Sequence, residues 1–135
     1  MKKGFTIIEL LIVMAVIAIL VGIGIPSFRA MQTEAWKTKA QGEVRVLRLA
    51  IEAYYKNNAK LPAADYQAAL LNESPSMIES NLYDPFGAAT DQYKYVTSGS
   101  YYAVYSVGPK TTGAVTITSG SAEATNGAIY ATNAR

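Results

Sequence analysis

The sequence predicts an α+β chain, in which one long N-terminal helix precedes a small antiparallel sheet of three or four strands. Residues 10–28 carry no charge, a helical pattern of apolar residues continues to about residue 58, and strand-like alternation begins near residue 93. The chain has 135 residues and is 50% hydrophobic, which suffices for one small domain besides the N-terminal segment. We therefore expect an apolar helical segment at 5–28, an amphipathic helix at 29–58 and a C-terminal region at 59–135.

The uncharged segment has the length of a membrane-spanning helix. Its 19 residues, 10–28, would cross most of a hydrocarbon core about 30 Å thick at a rise of about 1.5 Å per residue. Lys2 and Lys3 precede it, and the next basic residue is Arg29. This distribution favours a cytoplasmic N-terminus, so the rest of the chain would lie outside the cytoplasm.

A weak point is predicted within this helix at "GIGIP", residues 22–26. Pro26 lacks an N–H, and its ring clashes with the carbonyl group of Gly22. Gly24, between them, lowers helix propensity further. We predict a kink near Pro26 and flexibility at these three residues.

The amphipathic helix has one apolar face, with spacings of four, three, four and three residues. The face comprises Ala40, Val44, Leu47, Ile51 and Tyr54, opposite Glu43, Arg45, Arg48, Glu52 and Lys56. It is expected to pack on the C-terminal domain, and Trp36, Tyr54 and Tyr55 are interpreted as packing residues, not as an electron-transfer path. Before about residue 35 the helix has no domain of its own to cover it, which favours lipid or other copies of the chain as its surroundings.

The C-terminal region begins with turn-forming residues and Pro62, followed by a short helix near 66–71. Four short segments have strand character: 93–97, 101–107, 114–118 and 127–132. Three or four of them would form an antiparallel sheet packed on the long helix.

The composition argues against most enzymes and against nucleic-acid binding. The chain contains no Cys and no His, which excludes disulfides, Cys-His and Ser-His catalysis and the usual zinc sites. Its formal charge of +2 equals the contribution of Lys2 and Lys3, so the remainder is balanced. Arg45 and Arg48 lie among acidic residues, not in a basic patch. We expect no nucleic-acid partner.

An enzyme tethered to the membrane remains an alternative. Its candidate acid-base residues are the carboxylates of Glu79, Asp84 and Asp91. In a turn-rich region these residues are more simply interpreted as turn caps and solvated charges, so we expect no catalytic residues.

Glu9 is the unusual residue of the N-terminal segment, because an ionised carboxylate at mid-helix costs about 2.5–3.5 kcal/mol on insertion scales, and less toward the helix end. A cleaved secretory signal would have a shorter apolar core and a small-x-small cut site, which "GIGIPSFRAM" lacks. A plain anchor gains nothing from Glu9. Cleavage between Gly4 and Phe5 would instead create an α-amino group, and a neighbouring copy could offer this cation to Glu9.

The stretch "KGFTIIELLIVMAVIAIL" resembles the class III signal of type IV pilins and type II secretion pseudopilins. Ile7, where Leu is commoner, is a small departure. The resemblance implies that residues 1–4 form a leader, that a prepilin peptidase cleaves after Gly4, and that the amino group of Phe5 is then methylated. It further implies that Glu9 recruits a neighbouring subunit and that the Gly22–Pro26 segment loosens during assembly; a harmless kink is the alternative.

"DPFG" at 84–87 and "YSVGP" at 105–109 resemble stretches of the major pseudopilin of type II secretion, although both could be ordinary turns. The absence of Cys points the same way, because many pilus subunits close their C-terminal loop with a disulfide. The resemblance implies a major pseudopilin; the alternative is a major or minor pilin of a type IV pilus, serving adhesion, motility or DNA uptake.

The expected partners and location follow from the same resemblance. The chain would be a single-pass protein of the bacterial inner membrane and then part of a periplasmic or cell-surface filament. Its partners would be other copies of itself, a prepilin peptidase, an inner-membrane assembly platform and minor pilins or pseudopilins.

Calcium is the one cofactor that the resemblance raises, because major pseudopilins usually hold it in the loop after this strand. Calcium takes six to eight oxygen ligands, normally including carboxylates. After Pro109 the chain offers only Glu123 as an acid and Asn126 as a neutral donor, and Lys110 stands where an acid might be expected. We therefore expect no calcium and no other cofactor, and closure of the loop by strand pairing.

Overall fold

The computed structural model describes residues 4–135 and confirms the α+β class. Its helices are α1 (Ile7–Asn58) and α2 (Tyr66–Asn72), and its strands are β1 (Lys94–Ser98), β2 (Tyr101–Ser106), β3 (Ala114–Thr118), β4 (Ser121–Thr125) and β5 (Ile129–Thr132). The chain divides into two compact units, one that ends at Ala35 and one from Trp36 to Arg135. Lys2 and Lys3, on which the predicted orientation depends, lie outside the described residues, as does most of the predicted leader.

Helix α1 is continuous through Pro26. Its C-terminus is set by Ala59, which has a left-handed φ of 52°, and whose N–H donates to the carbonyl group of Tyr55 at 2.8 Å. This conformation cannot continue the helix and satisfies one of its last carbonyl groups. The predicted end near residue 58 is therefore confirmed.

The core of the second unit forms where the predicted apolar face of α1 meets α2 and the strands. Ala40, Val44, Leu47 and Ile51 are buried as predicted, and Tyr54 is partly buried against them. The other large core side chains are Tyr66, Leu70, Ile78, Phe86, Tyr93, Tyr102 and Val104. Trp36 packs edge-to-face on Phe86, with ring centroids 5.9 Å apart, which agrees with its interpretation as a packing residue.

The strands form two antiparallel sheets. A three-stranded sheet has the order β1-β2-β5, and β3 pairs with β4 alone. The three-stranded sheet falls within the predicted count, whereas β4 was not predicted, because "SAEAT" lacks the branched and aromatic residues of a typical strand. It forms through a two-residue turn at Ser119 and Gly120, whose positive φ values of 52° and 81° suit a tight hairpin.

Candidate functional site

The N-terminal segment presents an unbroken apolar surface. Phe5 is 82% exposed, every described residue before Ala40 is at least partly exposed, and α1 contains a stretch long and apolar enough to cross a bilayer. None of the described residues of the first unit, 4–35, is buried. Such a surface requires an apolar partner, which can be lipid or other protein chains.

The predicted cleavage point lies immediately before this helix. Gly4 and Phe5 are exposed and non-helical, and α1 begins two residues after Phe5, at Ile7. A Cβ atom added at Gly4 would meet no atom within 4 Å. The local structure therefore does not require glycine at residue 4. A requirement for glycine would come instead from an enzyme that recognises this residue.

Glu9 caps the N-terminus of its own helix. One carboxylate oxygen, Oε2, accepts the backbone N–H of Thr6 at 2.9 Å and its hydroxyl at 2.8 Å. In return, the backbone N–H of Glu9 donates to Thr6 Oγ1 at 3.3 Å. This reciprocal arrangement is a capping box, in which a Thr is followed three residues later by Glu.

The capping box corrects one expectation, because even a plain anchor gains a helix cap from Glu9. The Thr-x-x-Glu spacing of residues 6–9 is typical of a capping box and could have predicted this one. Among the described residues, no group donates to the other oxygen, Oε1. Glu9 can therefore keep its hydrogen bonds with Thr6 while Oε1 forms an ion pair with a cation of another molecule.

The predicted flexible residues lie together in α1, away from its first turn. Gly22, Gly24 and Pro26 are all helical and exposed, and a Cβ atom at either glycine would meet no atom within 4 Å. A further residue that no local pattern indicates is Ser27, which donates its hydroxyl to the carbonyl oxygen of Ile23 at 3.3 Å. Such back-bonding slightly destabilises helices, so Ser27 adds to the weakness that Pro26 introduces.

In the second unit, the side chain of Asp84 joins the two stretches that resemble the major pseudopilin. Asp84 is only 4% exposed. Its Oδ1 accepts the hydroxyl of Ser106 at 2.7 Å and the N–H of Phe86 at 3.0 Å, and its Oδ2 accepts the N–H of Val107 at 2.8 Å. Ser106 Oγ in turn accepts the N–H of Gly108 at 3.1 Å. The "DPFG" turn is thereby tied to the end of β2.

This geometry also bears on the enzyme alternative. Asp84 caps its turn as expected, through the N–H of Phe86. It is not a solvated charge, because it is buried and both of its oxygens accept hydrogen bonds. Asp91 accepts the N–H of Ala88 at 3.0 Å, as expected of a turn cap. Glu79 is exposed and lines a different part of the surface. The arrangement gives Asp84 a structural role, because both of its oxygens accept hydrogen bonds from within the chain.

Two buried tyrosines, one just before β1 and one in β2, attach this part of the chain to the polar flanks of α1. Tyr93 donates its hydroxyl to Glu43 Oε2 at 2.6 Å, and Tyr102 donates to the carbonyl oxygen of Arg48 at 3.2 Å. Burial raises the pKa of both hydroxyls above the ordinary value for tyrosine. The periodicity of α1 predicted its apolar face but not these two attachments, because partners 50 and 54 residues away have no local signal.

The loop after β2 closes through backbone contacts. The N–H of Gly113 donates to the carbonyl oxygen of Val107 at 2.9 Å. Gly108 has a φ of +72°, and a Cβ atom there would lie 2.2 Å from the carbonyl oxygen of Gly127, so only glycine fits. The loop is therefore packed closely against the β4–β5 connection.

The residues near this loop do not fit a calcium ion. Glu123 is exposed on β4, opposite Thr116 of the hairpin. Asn126 donates its side-chain amide to the carbonyl oxygen of Thr112 at 3.3 Å. Within residues 4–135, no three acidic side chains are grouped as a metal site would need.

Comparison with known proteins gives matches at two scales. Residues 1–25 match the family model of the prokaryotic N-terminal methylation motif. The chain is 24% identical over 122 residues to the type II secretion system core protein G of Dickeya chrysanthemi, covering 80% of this chain and 78% of that protein. The protein of the same name from Escherichia coli (strain K12) is 25% identical over 122 residues, covering 80% and 82%.

A shorter stretch is more similar to a different class of protein. A fimbrial protein of Pseudomonas aeruginosa is 44% identical over 52 residues, which are 38% of this chain and 34% of that protein. No solved structure gives a significant match.

Proposed function

Because the chain belongs to the superfamily of type IV pilins and type II secretion pseudopilins, we propose that it is the major pseudopilin of a type II secretion system. As a structural subunit, it would polymerise through its N-terminal helix after a prepilin peptidase removes residues 1–4. The observation that carries this proposal is the exposed apolar part of α1, which follows the predicted cleavage point between Gly4 and Phe5 and has Glu9 in its first turn. The exposed apolar surface of this segment suits contacts between copies.

The assembly step depends on a charge that cleavage creates. Removal of the leader makes the α-amino group of Phe5, which keeps its positive charge when methylated. In an apolar environment this cation requires a partner, because a buried unpaired charge costs several kcal/mol. Glu9 Oε1 of a neighbouring subunit, to which no residue of 4–135 donates, would be that partner, while Oε2 retains the cap with Thr6.

The two resembling stretches and the long matches favour the secretion pseudopilin. The similarity to core protein G extends over 80% of the chain, whereas the similarity to the fimbrial protein extends over 38%. A pilin of a type IV pilus is the second candidate, favoured by the higher identity of that shorter match, 44%. In either case the subunit would reside in the inner membrane before assembly. Its further partners would be an assembly platform and minor subunits.

Gly4→Leu tests the proposed processing. We expect the full-length chain in membranes to lose residues 1–4 when mixed with a prepilin peptidase, and the variant to remain uncut, because the peptidase must accommodate residue 4 next to the broken bond. Intact-mass spectrometry measures the outcome. Gly42→Leu is the matched control, since Gly42 is also exposed with open space around it, and it should be cut normally.

A mature-length product from Gly4→Leu would contradict the proposed cut. Failure of the unaltered chain to lose residues 1–4 would contradict the proposed function itself.

Calcium should leave the stability of the protein unchanged, because the loop after β2 lacks a carboxylate set. A site saturated at 100 times its Kd would add about 2.7 kcal/mol, which corresponds to a rise in Tm of roughly 10 °C for a domain of this size. Thermal unfolding of the purified full-length chain, in calcium and in excess chelator, measures this difference. A rise of several degrees with calcium, but not with magnesium, would contradict the expectation that this loop binds no calcium.

A further inference from the structure

The second unit of the chain has an apolar cleft beside α1 that contains one uncompensated carboxylate. The cleft has a volume of about 330 Å³ and is lined by Val46, Met77, Ile78, Glu79, Ser80 and Leu82. Val46 is 51% exposed, although it is a large apolar residue. Glu79 makes no ion pair with any described residue. The cleft therefore suits an apolar side chain that is accompanied by a cation.

The same helix carries such a pair on an adjacent face. Leu49 is 65% exposed, and Arg45 precedes it by four residues, so both project from one side of α1. Arg45 is exposed and, within residues 4–135, forms no salt bridge; the nearby Arg48 is already bound to Glu52 at 2.8 Å. Leu49 and Arg45 thus form a protruding apolar and basic pair that complements the cleft.

We propose that Leu49 of one copy inserts into this cleft of a second copy, and that Arg45 of the first copy pairs with Glu79 of the second. The proposal rests on the proposed function, which makes other copies of the chain the available partner. We take the contact to be heterologous, in which each copy uses its cleft toward one neighbour and its protruding pair toward another. A heterologous contact that does not close into a ring propagates as an open filament, and therefore each copy would use both surfaces.

Charge reversal with rescue tests the pairing. Arg45→Glu and Glu79→Arg should each reduce the yield of sheared filaments about tenfold, because each places like charges in contact at every interface. The double variant should restore the yield. The matched controls are Lys110→Glu and Glu123→Arg, which reverse exposed charges outside both surfaces and should assemble normally.

Cysteine cross-linking tests the contact independently of the charges. The chain has no native Cys, so filaments assembled from a mixture of Leu49→Cys and Ser80→Cys subunits should give a disulfide-linked dimer on oxidation, and filaments of either variant alone should not. If the unaltered chain forms filaments but the charge variants assemble equally well and the mixture gives no dimer, this contact is wrong. If the unaltered chain forms no filaments with its assembly partners present, the proposed function fails instead.

Discussion

Glu9→Ala should leave the chain inserted in the membrane and cleaved after Gly4, but it should abolish filament assembly. The substitution removes the only carboxylate in the apolar segment, so the amino group of Phe5 on a neighbouring subunit would enter the interface unpaired. That costs several kcal/mol at each contact, and the cost recurs at every subunit. The measurement compares the amount of sheared filament with the amount of mature subunit left in the membrane.

The capping box makes two controls necessary. Glu9→Gln keeps an acceptor that can complete the capping box but removes the charge, and it should also fail to assemble. Thr6→Ala removes the cap, at a cost of about 0.5–2 kcal/mol, but keeps the carboxylate and should still assemble. If Glu9→Gln formed filaments normally, the role of Glu9 would be the helix cap and not the ion pair.

Asp84→Ala should lower the free energy of unfolding of the second unit by about 3 to 5 kcal/mol, because it leaves several buried donors unsatisfied. The donors are the hydroxyl of Ser106 and the N–H groups of Phe86 and Val107. A loss of that size is a large part of the stability of a typical domain, about 5–15 kcal/mol. Urea unfolding, followed by the fluorescence of the single tryptophan, Trp36, reports it directly, since Trp36 packs on Phe86.

Asp91→Ala is the matched control, because it removes one carboxylate from the same turn. Asp91 bonds the N–H of an exposed residue, Ala88, which water can satisfy, so the expected loss is about 1 kcal/mol or less. Equal losses for the two variants would show that Asp84 is no more than a turn cap.

Parts of the candidate site could be predicted from the sequence, because the residues that identify them are close together in the chain. The long apolar segment, Gly4, Phe5 and Glu9 lie within a few residues of one another, and the spacing of Thr6 and Glu9 also encodes the capping box. The apolar face of α1 was predictable for the same reason, since its period depends only on helix geometry. The same helix geometry places Arg45 and Leu49 on one exposed side of α1. The cleft proposed to receive them could not be predicted in this way, because its residues come from distant parts of the chain.

By itself, the sequence determined the elements whose physics lies in short-range spacing: the apolar helix, its processing motif, the buried face of α1 and the strand-rich C-terminal region. Only the tertiary structure decided that Asp84 is a buried junction and not a solvated charge, and that β5 pairs with β2 while β3 and β4 form a separate hairpin. The reason is that a carboxylate is accommodated in a core only by donors brought to it from distant parts of the chain. Ser106 and Val107, more than 20 residues from Asp84, acquire that role only when the fold places them beside it.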